Sequence, residues 1–331
     1  MIEIREGDCR QLLKAMPDRS VHCVVTSPPY FGLRDYGVEG QMGLEPTPAE
    51  FVAGMVELFR DVRRVLRDDG TLWLNLGDSY ANDGKWGGHT GGKHVRALHA
   101  SPIGRNKRYT GLKPKDLIGI PWRVAFALQE DGWFLRQDIV WSKPNPMPES
   151  VTDRCTKAHE YIFLMSKAPR YFFDAAAIQE PVSPNTHARL AQDVEAQRGS
   201  DRVPGKTNGP MKAVARKVAS EGEGIKSNAS FYNATAFRVD ERNKRSVWTV
   251  ATQPFKEAHF ATFPPALIEP CILAGCPEGG TVLDPFGGAG TTGLVADRLQ
   301  RNAILCELNP EYAEIARRRI RGDAGLFGDV A

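Results

Sequence analysis

Long apolar runs are absent from this sequence. No stretch approaches the roughly 18 consecutive apolar residues that a membrane-spanning helix needs, so no membrane partner is expected. The opening residues MIEIREGDCRQLLK contain no basic region followed by an apolar run. They do not read as a secretory signal, and a cytoplasmic location is expected. Cysteine is sparse: there are six in 331 residues, none spaced as C-x-x-C, which argues against a disulfide framework and the common thiolate metal sites. The seven histidines include no H-E-x-x-H pair, and no metal is expected. Neither sign of charge dominates, since the formal net charge is only +3.

The charge that is present is unevenly placed. Residues 81–115 hold five Lys and three Arg against one Asp, and residues 181–249 hold twelve basic against seven acidic side chains. The remainder is therefore acidic on balance. The two basic stretches are also the least regular in pattern; five glycines fall between 84 and 92. Basic charge concentrated in irregular segments is the pattern of a polyanion-binding face.

Elsewhere the hydrophobic spacing is regular. Strands are predicted over 2–5, 21–26, 71–76, 136–141, 161–166, 281–283 and 303–307, with a short return at 171–173 and a turn at Asp69-Gly70. Helices are predicted over 9–16, 48–66, 121–129, 264–274, 291–299 and 310–321. The second is the clearest: Phe51, Met55, Leu58, Phe59 and Val62 recur at helical spacing, Pro48 lies in the first turn and Thr47 is the N-cap. Alternating strands and helices imply an α/β fold with a largely parallel sheet. Three parts are expected: residues 1–179 with the basic loop 78–115, a polar insertion over 180–250, and residues 251–331.

Two motifs carry chemistry. In T-V-L-D-P-F-G-G-A-G-T-T-G, residues 281–293, a strand runs into an acid, a glycine-rich turn and a helix. Gly287, Gly288 and Gly290 let the backbone approach a ligand closely. The lysine of a phosphate-cradling P-loop is missing. Gly288, Gly290 and Gly293 match dinucleotide spacing by coincidence of numbering, which leaves a nicotinamide enzyme as an alternative without visible hydride chemistry. Asp284 can bind a positive amino group, Phe286 can pack beside the ligand, and Glu307, ending the next strand, is placed to hold ribose hydroxyls.

The second motif is Thr26-Ser27-Pro28-Pro29-Tyr30, just past a buried strand. Two prolines force an extended, stiff backbone without amide donors. Such a segment can accept both hydrogens of an exocyclic amino group, one at the Ser27 hydroxyl oxygen and one at the Pro28 carbonyl. The Tyr30 ring can stack on a planar base. Two acceptors pull an amino nitrogen towards tetrahedral geometry and expose its lone pair, so direct transfer of an electrophilic methyl needs no covalent enzyme intermediate. Methylation at cytosine C5 would need a nucleophilic thiol, and no cysteine has an activating neighbour in the sequence. A base inside a duplex must be extruded to reach the site.

With these motifs the chain resembles the beta group of DNA amino-methyltransferases, in which the catalytic motif precedes the cofactor motif. The resemblance runs through GD at 7–8, TSPPY at 26–30, GTLWLNLGDSY at 70–80, GWFLRQDIVWSKPNPMPESVTDRCTKAHEYIFLMSK at 132–167, HFATFP at 259–264, DPFGGAGTTG at 284–293 and CELNPEY at 306–312. It implies a Rossmann-like methyltransferase fold with circularly permuted motif order and an inserted DNA-recognition region. It also implies S-adenosyl-L-methionine as methyl donor and double-stranded DNA as substrate, and it suggests a homodimer and a cognate restriction endonuclease.

By this resemblance Ser27, Pro28, Pro29 and Tyr30 form the catalytic tetrapeptide. Asp284, Phe286, Gly288 and Gly290 form the methionine-side loop, and Glu307 is the ribose contact. Asp8 is the acid near the adenine amino group, Phe260 and Phe263 close over the cofactor, and Thr291 touches its carboxylate. Ser27 resembles the cytosine-N4 subgroup, with adenine N6 as the alternative. The basic segments supply Arg105, Lys107 and Arg108 in the first loop and Arg238, Arg242, Lys244 and Arg245 in the insertion as DNA-binding candidates. Lys143, in the proline-rich shared segment, joins them. A non-catalytic DNA-binding protein and an RNA amino-methyltransferase are the remaining alternatives.

Overall fold

The computed structural model describes residues 1–33, 36–81, 111–183, 241–253, 255 and 262–324. The chain divides into two compact units, Met1–Ala177 with Arg245–Ala331, and Ile178–Lys244. The first unit is built on an eight-stranded sheet. Its strands are β1 (Ile2–Glu6), β2 (Val21–Thr26), β3 (Leu66–Leu76), β4 (Phe134–Ser142), β5 (His159–Ser166), β8 (Val247–Thr249), β9 (Thr281–Asp284) and β10 (Asn302–Glu307). Their spatial order is β1-β10-β9-β2-β3-β5-β4-β8. All neighbours run parallel except β5, which is antiparallel to both β3 and β4.

Both faces of this sheet are covered, as parallel strands require. The helices are α1 (Cys9–Lys14), α2 (Pro48–Val65), α3 (Ile120–Glu130), α4 (Pro265–Gly275), α5 (Thr291–Arg298) and α6 (Pro310–Ala324). Adjacent residues of β2 show the division, because neighbouring side chains of a strand point to opposite faces. Val24 enters the core formed with Phe51, Met55, Leu58 and Phe59 of α2, whereas the Cys23 sulfur lies against Gly275 of α4. The α2 helix begins as expected: Thr47 accepts from the Glu50 amide at 3.2 Å, and Pro48 occupies the first turn. For α3 the cap comes from far away, since Asp78 accepts from the amides of Gly119 and Ile120.

The order places a switch point at the centre. From β9 the sheet extends to β10 and β1 on one side and to β2 and β3 on the other. Ligands of such sheets sit beyond the carboxyl ends of the strands at that point. Here those ends are Thr26 and Asp284, the last residues of β2 and β9. The first strand of the chain also belongs with the last: β1 pairs with β10, and the Gly7 amide donates to the Glu307 carbonyl at 2.8 Å.

Three expectations are corrected. Asp69-Gly70 is not a turn, because β3 runs through it, with a register shift opposite Val21 and Cys23. Gly70 is needed for close packing: a Cβ there would stand 2.5 Å from Leu66 Cδ1 and 2.8 Å from the His22 carbonyl. Tyr171–Phe173 forms no strand; Phe172 donates a single bond to the Asp69 carbonyl, and Phe173 stacks on Trp73. Residues 247–249, expected inside the insertion, form β8 and extend the main sheet beside β4. In the second unit the described residues form a two-stranded ribbon, β6 (Glu180–Pro181) paired antiparallel with β7 (Glu241–Arg242).

Candidate active site

The two motifs meet at the switch point. Thr26 Oγ1 donates to Asp284 Oδ1 at 2.7 Å, Thr292 Oγ1 donates to Asp284 Oδ2 at 2.6 Å, and the Phe286 amide adds a third bond at 3.0 Å. Asp284 is only 1 % exposed. Burial raises its pKa, although all three donors oppose the shift. This corrects the expectation of an acid facing the ligand: the Asp284 carboxylate is spent on tying the strand of the S-P-P-Y segment to the glycine-rich loop. Ser27 follows this tie directly and is half-buried, Pro28 is buried, and Pro29 and Tyr30 are half-buried.

The glycines have separable tasks. Gly288 and Gly290 have φ of +52° and +76°, which glycine adopts without strain. At Gly290 the close neighbour is protein, since a Cβ would stand 2.8 Å from Ala316 Cβ on α6. Gly287 likewise packs on β10, with Leu305 Cβ 2.9 Å from such an atom. Thr291 is 3 % exposed, and its hydroxyl accepts from Arg319 at 2.9 Å. It braces α6 on the loop rather than facing outward. Phe286 is half-buried against the core, and Phe263 is half-buried before α4. Phe260 lies outside the described residues.

On the other side of the loop, Glu307 ends β10. Its Oε2 accepts from the Gly288 amide at 2.7 Å and its Oε1 from the Asn309 amide at 2.8 Å. Burial raises its pKa against these bonds. Asp8, next to Gly7, caps α1 through the Arg10 amide and pairs with the Arg10 guanidinium at 2.6 Å. Burial pushes the Asp8 carboxyl up, but the Arg10 hydrogen bonds prevail and its pKa is lowered. Two carboxylates thus stand at the neighbouring ends of β1 and β10. This pair of acceptors fits a ligand whose hydroxyl and amino groups donate.

Tyr30 is fixed by residues that sequence reasoning did not single out. Its hydroxyl donates to Glu160 Oε2 at 2.7 Å and approaches Asn75 Oδ1 at 3.2 Å. Glu160 in turn pairs with Lys143, whose ammonium also lies 4.2 Å from the centre of the Trp141 ring. One side of the Tyr30 ring is closed by Gly77, where a Cβ would stand 2.4 Å from the ring. Burial, then the Glu160 charge, pushes the phenol well above its usual pKa, and a hydrogen bond with Ser27 opposes them. Lys143 is therefore corrected from a DNA contact to a largely buried partner of Glu160. The sequence signal was a lysine just after one predicted strand and an acid just before the next, which cannot be paired without knowing the register.

Three of the remaining basic candidates are among the described residues. Arg242 pairs with Glu180 at 3.0 Å across the β6–β7 ribbon. Lys244 is half-buried and Arg245 is exposed, its carbonyl accepting from Trp248 Nε1. Arg105, Lys107, Arg108 and Arg238 lie outside the described residues. Three of the buried thiols are poor nucleophiles: burial pushes Cys9, Cys276 and Cys306 up to about 12.

A central switch point with a stiff acceptor loop on one side and a glycine-rich acidic loop on the other defines an α/β transferase-type site. The DNA methylase family model matches residues 21–318, and the chain belongs to that family. It is 44 % identical over 315 residues to the Type II methyltransferase M.SmaI of Serratia marcescens, covering 95 % of this chain and 89 % of that protein. M.XycI of Xanthomonas campestris pv. cyanopsidis, another Type II methyltransferase, is 45 % identical over 317 residues, covering 96 % and 87 %. The PvuII DNA methyltransferase (cytosine-N4-specific) shares the fold with TM-score 0.61 at 19 % identity, covering 99 % of this chain and 87 % of that one. TTHA0409 of Thermus thermophilus, solved in complex with S-adenosyl-L-methionine, shares it with TM-score 0.56 at 20 % identity and full coverage of both chains. Among the described residues no helix is long and apolar enough to cross a membrane.

Proposed function

We propose that this DNA methylase transfers a methyl group from S-adenosyl-L-methionine to the N4 amino group of cytosine at specific sites in double-stranded DNA. One observation carries the reading: the Thr26–Asp284 bond holds the Ser27-Pro28-Pro29-Tyr30 segment against the glycine-rich loop. The donor, when bound, supplies an electrophilic methyl on a sulfonium. Glu307 and Asp8 accept from its hydroxyl and amino groups, and the 286–290 backbone lines its methionine side. Ser27 Oγ and the Pro28 carbonyl accept from the target amino group and expose its lone pair, while the free side of the Tyr30 ring stacks on the extruded base.

The choice of cytosine N4 rests on Ser27 and on the cytosine-N4-specific PvuII enzyme, which shares the fold. The basic 78–115 loop and the 180–250 insertion are assigned to phosphate clamping and base reading. The M.SmaI and M.XycI relatives are Type II methyltransferases. The proposal therefore extends to a cytoplasmic enzyme paired with an endonuclease of the same specificity, and to a homodimer testable by light scattering. The test of the reaction is direct. The protein is incubated with labelled donor and unmodified DNA, the DNA is digested, and the nucleosides are identified by mass. N4-methylcytosine is expected. N6-methyladenine would reassign the base, and no transfer despite donor binding would overturn the proposal.

A further inference from the structure

The loop between β4 and β5 presents an apolar side chain that the reaction described above leaves unused. Met147 is 86 % exposed, more than any other large hydrophobic residue among those described. It lies in Lys143-Pro144-Asn145-Pro146-Met147-Pro148-Glu149, where every second residue is proline. Each proline fixes its own φ and pushes the residue before it towards extended backbone. The loop is anchored on both sides of Met147. Two positions before it, Asn145 exchanges bonds with the backbone of Thr252, at 3.1 Å to the carbonyl and 2.9 Å from the amide. Two positions after it, Glu149 accepts from the Lys157 amide at 3.1 Å and from Arg154 at 2.6 Å. Met147 is thus a flexible apolar tip on a stiff, braced post.

The post stands at the reacting edge. Since β5 is antiparallel to both β3 and β4, β4 runs parallel to β2 and β3. Its carboxyl end, Ser142, therefore lies at the same edge of the sheet as Thr26. Lys143, the next residue, reaches the Glu160 carboxylate that holds Tyr30. Apolar side chains inserted at a base step unstack it, and methionine is among those used. A base leaving the duplex opens such a step.

We propose that Met147 enters the base stack of duplex DNA beside the target base and holds open the step from which that base is extruded. The inference rests on duplex DNA being the substrate. Met147 is a positioning residue, with no part in methyl transfer itself. Because its side chain is exposed, substitution leaves the fold and donor binding intact, so a purely structural role predicts no effect.

The test compares Met147→Ala and Met147→Leu with the wild-type enzyme. Substrates are an unmodified, fully matched duplex carrying a site that the enzyme methylates, the same duplex with a mismatch opposite the target base, and a duplex with 2-aminopurine at the target position. For Met147→Ala, kcat/KM on the matched duplex is expected to fall at least about tenfold. On the mismatched duplex, where the base is already loosened, the loss shrinks to less than about threefold. Enzyme-induced 2-aminopurine fluorescence falls in parallel, and Met147→Leu restores most of both. Wild-type rates from Met147→Ala, or equal losses on matched and mismatched duplexes, would overturn the proposal. Failure of the wild-type enzyme to methylate any duplex would instead sink the underlying reading of the substrate.

Discussion

Thr26 and Asp284, 258 positions apart in the chain, share a buried hydrogen bond of 2.7 Å at the centre of the sheet. It joins the residue before the Ser27-Pro28-Pro29-Tyr30 segment to the acid that opens the glycine-rich loop. Replacing Thr26 by Val keeps the shape and removes one donor from a buried carboxylate. The expected cost is about 1–3 kcal/mol of stability, read from urea unfolding.

The same pair gives a pH dependence. Asp284 has a raised pKa in the folded chain, so folding favours its protonated form. Below the unfolded value, about 4, both states hold the proton and the group contributes nothing. As pH rises from there, the unfolded chain releases its proton while the buried native carboxyl keeps it, so stability is lost until the folded value is passed. Asp284→Asn has no such loss. Its stability relative to wild type should therefore climb from about pH 4 and level off above the folded pKa. A difference curve without slope across pH 4 to 8 would falsify this assignment.

Ser27→Ala separates chemistry from donor binding. The hydroxyl is assigned to the target amino group and not to the donor, so single-turnover transfer should drop by about 100- to 1,000-fold. The dissociation constant for S-adenosyl-L-methionine, measured by calorimetry, should stay within about twofold of wild type. Equal loss of both would mean that the tetrapeptide belongs to the donor pocket.

The seat of Tyr30 is tested at Gly77 and Glu160. Gly77→Ala introduces an atom 2.4 Å from the ring, so the ring must move. Overpacking of this kind costs about 1–3 kcal/mol. Activity should fall more steeply than thermal stability, because the displaced ring is the stacking surface. Glu160→Gln keeps an acceptor for the phenol but leaves Lys143 without its ion pair. It should weaken DNA binding and transfer while sparing donor affinity.

Thiol labelling tests the exclusion of a covalent mechanism. Of the six cysteines only Cys155 is exposed. The native protein at pH 8 should take up one equivalent of iodoacetamide quickly, located at Cys155 by peptide mass, and the other five only after unfolding. Rapid modification of Cys9, Cys276 or Cys306 would contradict their raised pKa values.

Much of this arrangement was legible in the residues. The helical spacing of α2, the alternation of strands and helices, and the two motifs flanking the switch point are local patterns. What was not legible depends on which strands lie side by side. The Thr26–Asp284 bond and the Tyr30–Glu160–Lys143 chain each link segments far apart in sequence. Their members have ordinary local readings: Asp284 looked like a ligand contact and Lys143 like a DNA contact. Gly290 was read as room for a ligand, whereas the space it leaves is filled by Ala316. The missed β8 is three residues long, too short for its periodicity to stand out from a polar stretch.

The β6–β7 ribbon closes the insertion at its base, pairing Glu180 with Arg242 and Pro181 with Glu241. A segment pinned where it leaves and where it returns can change in length and content without disturbing the register of any strand in the main sheet. With the insertion assigned to base reading, as proposed above, the reader can be exchanged while the main sheet is kept. Grafting another family member's segment between Pro181 and Glu241 should redirect which sites are methylated while leaving the transferred group and the modified atom as they are.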